Sequence, residues 1–140
     1  MPEVRHISTL QETLRKTSLS FSEILMPVAT RGSQRLKQEI LLNLSGKVLN
    51  RRSGDLYRSV EARARTVEGG VEIEASAGGV LVPYASIHEY GGNAGRGGRT
   101  PIKARPYMLP AVEREMDRMM PEISEAITES LIYGPRRRGR

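Results

Sequence analysis

The strongest constraint on the fold is a run of alternation between Val60 and Ala75, turned about a single glycine-rich reversal. Val60, Ala62 and Ala64, with Val67 beyond them, alternate with Glu61, Arg63 and Arg65, the period-two sign of a half-buried strand. Glu68-Gly69-Gly70 supplies a hairpin turn. Val71, Ile73 and Ala75 then alternate with Glu72 and Glu74 on the way back. Arginines of the first strand face glutamates of the second across the outer face, in pairs worth about 0.2–1 kcal/mol each. Ala77-Gly78-Gly79 reads as a bulge or turn before Val80-Leu81-Val82.

Helical patterns flank this hairpin. Thr9 and Glu12 fit a capping box, and Leu10, Leu14, Phe21, Ile24, Leu25 and Val28 keep approximate helical spacing. Pro27 lacks an N–H and is expected to break or kink that helix. A second run, with Leu36, Ile40, Leu41 and Leu44 on one face, ends at Ser45 and Gly46; one kinked helix or two both fit. Ser53-Gly54-Asp55 reverses the chain, and Leu56 and Val60 lie four apart, as in one helical turn. At the other end Val112, Met116, Met119, Met120, Ile123, Ile127 and Leu131 recur at three and four residues, which predicts an amphipathic helix with a kink or restart at Pro121. Tyr133-Gly134-Pro135 ends it. The fold class is therefore α+β: an antiparallel sheet with a hairpin, packed by the N-terminal helix or helices and a long C-terminal helix. One domain spans 1–133, with a helical region at 1–46, the sheet, a short helix and a loop at 47–105, and a corner and helix at 106–133; 134–140 form a basic tail.

Composition narrows the function. The 140 residues hold no cysteine, which excludes disulfides, thiolate metal sites and thiol catalysis. With no Trp and one Phe, the core must be mostly aliphatic. No apolar run reaches the roughly 18 residues of a membrane span, and the first residues lack a signal peptide's apolar stretch; synthesis in a cytosol, with no membrane partner, is the expectation. The net charge of +6 is unevenly distributed. Residues 91–105 carry Arg96, Arg99, Lys103 and Arg105 without a carboxylate, and the tail carries Arg136, Arg137, Arg138 and Arg140. Those eight cations exceed the net charge, so the rest of the chain is slightly acidic. Two basic segments on an ordinary body point to an acidic partner or nearby DNA.

The first of these segments sits inside the most distinctive stretch, Val82 to Glu113. Tyr84, Ile87 and Tyr90 fall three apart, giving a short helical turn with an apolar face, which Gly91 and Gly92 stop. The Gly/Arg loop that follows has no periodicity of its own, and loops of that length are usually functional or disordered. Ile102-Lys103-Ala104 can add a short strand. Pro106 and Pro110 bracket Tyr107-Met108-Leu109, each biasing its predecessor away from helix.

Catalytic and ligand readings are thin. His88-Glu89 suggests a metal or acid–base pair, but the only other histidine is His6 and no thiol is present, so a polar helix face is the better reading. Asp55, Ser59 and His88 could form a nucleophilic triad, yet nothing marks Ser59 as a nucleophile elbow. The glycines at 91, 92, 95, 97 and 98 lack the Lys-Ser/Thr pair of a phosphate loop, and Pro101 stands where its helix would begin. No enzyme activity, cofactor or metal is expected. GRGGRTP and PRRRGR fit arginine arms on phosphates or in a minor groove, but no base-reading device accompanies them. Met116, Met119 and Met120 read as core or as subunit-contact filler.

Three motifs in order carry a resemblance. RRSGDLYRSV at 51–60 resembles the "(S/T)G-x-L-x-x-S-hydrophobic" signature of small tail-completion and neck proteins of tailed bacteriophages. PYASIHEYG at 83–91 is similar to their "YA-x-x-x-E-aromatic-G" element, and ARPYMLPAVE at 104–113 to their "RPF-(L/M)-x-PA" corner. The likeness spans about residues 48–130 and extends to minor tail, tail-terminator and virion-morphogenesis proteins between head and tail tube. It implies structural roles: Gly54, Leu56, Ser59 and Val60 for the turn into the sheet; Tyr84, Ala85, Glu89, Tyr90 and Gly91 for the short helix; Arg105, Pro106, Tyr107, Pro110 and Ala111 for the corner. The longer, more helical N-terminal region and the PRRRGR tail depart from that pattern.

The resemblance implies a non-catalytic virion protein at the head–tail junction, a homo-oligomeric ring of six or twelve copies between neck and tail-tube proteins. In that setting Arg96, Arg99, Lys103 and Arg105 form an arm toward the neighbouring subunit. Arg136, Arg137, Arg138 and Arg140 meet packaged DNA or an acidic partner. The alternative is a small nucleic-acid-binding protein using the same loop and tail.

Overall fold

The computed structural model describes residues 21–47, 54–79 and 84–134. Helix α1 runs from Phe21 to Leu42 and leaves helical geometry at Ser45 and Gly46. A single turn, α2 (Asp55–Arg58), leads into strands β1 (Glu61–Val67) and β2 (Gly70–Ser76). After α3 (Ala85–Tyr90) come two three-residue strands, β3 (Gly92–Ala94) and β4 (Thr100–Ile102), and then the long helix α4 (Leu109–Tyr133). The architecture is α+β, with two separate two-stranded antiparallel sheets among the described residues. The Thr9/Glu12 capping box, Leu10, Leu14, Ser53, Val80-Leu81-Val82 and the arginines of the tail lie outside the described residues. Among the described residues no helix is long and apolar enough to cross a membrane.

The hairpin follows its alternation. Ala62 faces Ala75, Ala64 faces Ile73, and Thr66 faces Val71; Thr66 follows Ala62 and Ala64 in register but is exposed, while Val67 is half-buried. On the outer face Arg63 pairs with Glu74 at 3.1 Å and Arg65 with Glu72 at 3.0 Å. The inner face rests on α1, which also packs antiparallel against α4. A Cβ on Gly32 would stand 2.4 Å from the Met119 sulfur, so the glycine leaves the space that the Met119 side chain fills between the two helices.

Two clusters form the core. The larger joins Leu36, Ile40 and Leu44 to Leu56, Val60, Ala85, Tyr107 and Ala111; the smaller sets Ile24 with Phe21, Leu25, Ala126 and Ile127. Tyr107 is the one aromatic ring buried completely among the described residues. Its loss to alanine belongs to the class of change that costs about 3–5 kcal/mol.

Two expectations are corrected here, and of the alternatives at Pro27 and Pro121 the break is excluded. Neither Pro27 nor Pro121 ends its helix; both lie on exposed faces, where water can satisfy the carbonyl that proline leaves without a donor. Pro110 is inside the first turn of α4, a position whose N–H has no helical partner anyway. The apolar row of α4 is only partly core. The residues fully buried on α4 are Ala111 and Glu115, while Met116 and Met120 are each 60% exposed. The contact with α1 runs through half-buried Met119, along a strip to one side of Met116 and Met120.

Candidate functional site: the Glu89 corner and its basic hairpin

Helix α3 buries the side opposite to the one its apolar spacing predicts. Ala85 and Glu89, four apart, are inside, while Tyr84 and Tyr90 face out, Tyr90 at 81% exposure. The reason is a specific set of donors. Glu89, 8% exposed, accepts hydrogen bonds from three successive backbone N–H groups. Its Oε2 takes those of Tyr107 (2.9 Å) and Met108 (3.0 Å), and its Oε1 takes that of Leu109 (3.0 Å). These are donors at the start of α4, which has no side-chain cap of its own. A carboxylate there satisfies groups that a helix leaves open and sits at the positive end of its dipole. Glu89 is thus a remote cap, not the polar face of a surface helix.

The rest of the corner locks onto the same residues. The Tyr107 hydroxyl donates to the Ala85 carbonyl at 3.1 Å, and Asn43 Nδ2 donates to the Tyr107 carbonyl at 2.8 Å. Burial first, then the charges of Glu89 and Tyr90, push the Tyr107 phenol up to about 12. Pro106 is half-buried beside it. On the other side of the core Gly54, at φ +81°, opens α2, Leu56 is buried, and the Ser59 hydroxyl donates to the Leu56 carbonyl (2.7 Å) while accepting from the Gly78 N–H (2.8 Å). Ser59 ties α2 to the end of β2. Asp55 pairs with Arg58, and His88 stacks edge-on with Tyr84.

The Gly/Arg loop is more ordered than its sequence suggests. Asn93 faces Pro101 and Gly92 faces Ile102 in a miniature hairpin whose tip is a 3-10 turn at Arg96–Gly98. The short strand falls at Thr100–Ile102, two residues before the expected Ile102-Lys103-Ala104. Both ends of the excursion are fastened to α3: the Arg105 N–H donates to the His88 carbonyl at 2.7 Å. Gly91 has φ +73°, and a Cβ on it would lie 3.0 Å from the Ala104 nitrogen and the Ile102 oxygen. Only glycine fits that backbone conformation and that close return of the chain. Arg96, Arg99, Lys103 and Arg105 all face solvent, and none has an ionic partner among the described residues.

A second cluster went unanticipated in the sequence reading above. Arg35 on α1 makes four hydrogen bonds to α4, two to Glu115 (2.8 and 2.6 Å) and two to Glu122 (2.8 and 2.7 Å). Those bonds raise the Arg35 pKa and hold the Glu122 carboxyl below its usual range. Glu39 pairs with Arg114 one turn further along. The available signal was Glu115 itself, an acid set on the Ala111 side of an amphipathic helix.

A stretch of 39 residues is 46% identical to Mu-like prophage FluMu G protein 2 of Haemophilus influenzae, covering 28% of this chain and 28% of that protein. The likeness is to a phage-related protein. No protein-family model and no solved structure matches the chain.

Proposed function

We propose that this chain is a structural, non-catalytic subunit of a tailed-bacteriophage virion, a tail-completion or neck protein that assembles into a homo-oligomeric ring at the head–tail junction. One observation carries the reading: Glu89 draws two motifs eighteen to twenty residues apart into one corner, and that corner presents a cation-bearing hairpin with no ionic partner among the described residues. An exposed arm on a rigid, well-capped base is what a ring subunit needs to reach its neighbour. The prophage likeness supports the phage setting. Neck and tail-tube proteins are the proposed neighbours, and the arginines at 136, 137, 138 and 140 the proposed contact with DNA or an acidic partner.

The test is the absolute mass of the purified protein over a concentration series, with and without tail-tube protein. A discrete ring, alone or triggered by tail tube, supports the reading. A monomer that ignores tail tube and binds DNA overturns it. That outcome belongs to the second reading, nucleic-acid binding, which the unpaired cations of the hairpin also favour; its signature is a steep loss of affinity with added salt.

A further inference from the structure

The hairpin's four cations have a complement elsewhere on the same chain. Along α4, Leu109, Met116 and Met120 are exposed and, at intervals of seven and four residues, share one face. Beside them stand Glu113 and Asp117, also exposed. The two arginines nearby are already engaged, Arg114 with Glu39 and Arg118 with Glu115, whereas Glu113 and Asp117 have no ionic partner among the described residues. One subunit therefore displays, on a glycine-rich hairpin, four cations without an ionic partner among the described residues and, separately, an apolar strip bordered by two carboxylates of which the same is true.

We propose that this strip of α4 is the dock for the basic hairpin of a second copy of the chain. The inference rests on the ring reading above and names the surface that receives the arm. The chemistry matches on both counts. Arginine stems lie along apolar surface while their guanidinium heads reach charge at its edge, so Arg96 and Arg99 cover Met116 and Met120 as they pair with Glu113 and Asp117. Gly95, Gly97 and Gly98 carry no side chain to hold the hairpin off the helix, and unbranched methionine adapts to the surface laid on it. Hairpin and strip are different patches of one molecule, so the contact is head-to-tail and each copy both gives and receives, the geometry that closes into rings.

Two charge-reversal variants test it: Arg96→Glu with Arg99→Glu on the hairpin, and Glu113→Lys with Asp117→Lys on the helix. All four side chains are exposed, so circular dichroism and melting serve as folding controls. Each variant alone is expected to need at least tenfold more protein for half-assembly than the wild type. Mixing the two restores assembly, because each acidic hairpin then meets a basic helix and each basic hairpin an acidic one. A contact within one subunit gains nothing from mixing. A wild-type ring that survives both reversals, or variants that stay apart when mixed, overturns this interface and leaves the ring reading standing. A wild type that is monomeric at every concentration, with tail tube present, overturns both.

Discussion

Three N–H groups on one carboxylate make Glu89 the side chain on which the corner depends. Glu89→Gln keeps the shape but turns one acceptor into a donor facing a donor, so an N–H is left buried and unpaired at a cost of about 1–3 kcal/mol. Urea unfolding of Glu89→Gln against wild type checks this, with Glu89→Ala expected to lose more. Gly91→Ala is expected to cost about 1–3 kcal/mol, from a left-handed backbone that closely meets the returning strand. The sequence marked Glu89 and Gly91 as positions without disclosing what they do. The partners of Glu89 lie eighteen to twenty residues away, and hydrogen bonds across that distance leave no periodic trace. Arg35 was less visible still, because one arginine in a helix reads as solvated until the opposite helix is set against it.

Elements were legible where a single period governs them. The β1–β2 hairpin obeys period two and its cross-strand pairs follow; α1 and α4 obey helical spacing. Burial was not legible in the same way. The apolar spacing of α3 points to Tyr84 and Tyr90, but the donors at Tyr107–Leu109 turn Glu89 inward, and tertiary hydrogen bonding prevails over amphipathicity in a six-residue helix. The α1–α4 clamp has a pH signature. Glu122 titrates below its ordinary value in the folded chain, so its contribution is present above the unfolded glutamate range and is lost as pH falls through the folded value. Stability measured by urea is expected to decline on acidification, and Arg35→Met is expected to flatten that part of the decline. At the alkaline end Tyr107 acts in the opposite sense. Its raised value means stability is full below the unfolded value near 10 and erodes as pH climbs toward 12, a limb that Tyr107→Phe removes.

The molecule as a whole separates a fastened body from an excursion that leaves it and returns. Replacing residues 93–99 by a two-residue turn removes little packed surface, and loop closure depends only weakly on length. Thermal stability is expected to stay within about 1 kcal/mol of wild type while assembly, read as mass in solution, is lost. The pins at His88–Arg105 and at Gly91 have a consequence for descent as well as for folding. Because both ends of the excursion are held by the body, insertions, deletions and charge changes between them are screened by the neighbour they touch and hardly by the fold. The hairpin is thus the segment in which a lineage can change its partner while keeping its scaffold, with Glu89, Gly91 and Tyr107 as the fixed frame around a replaceable part.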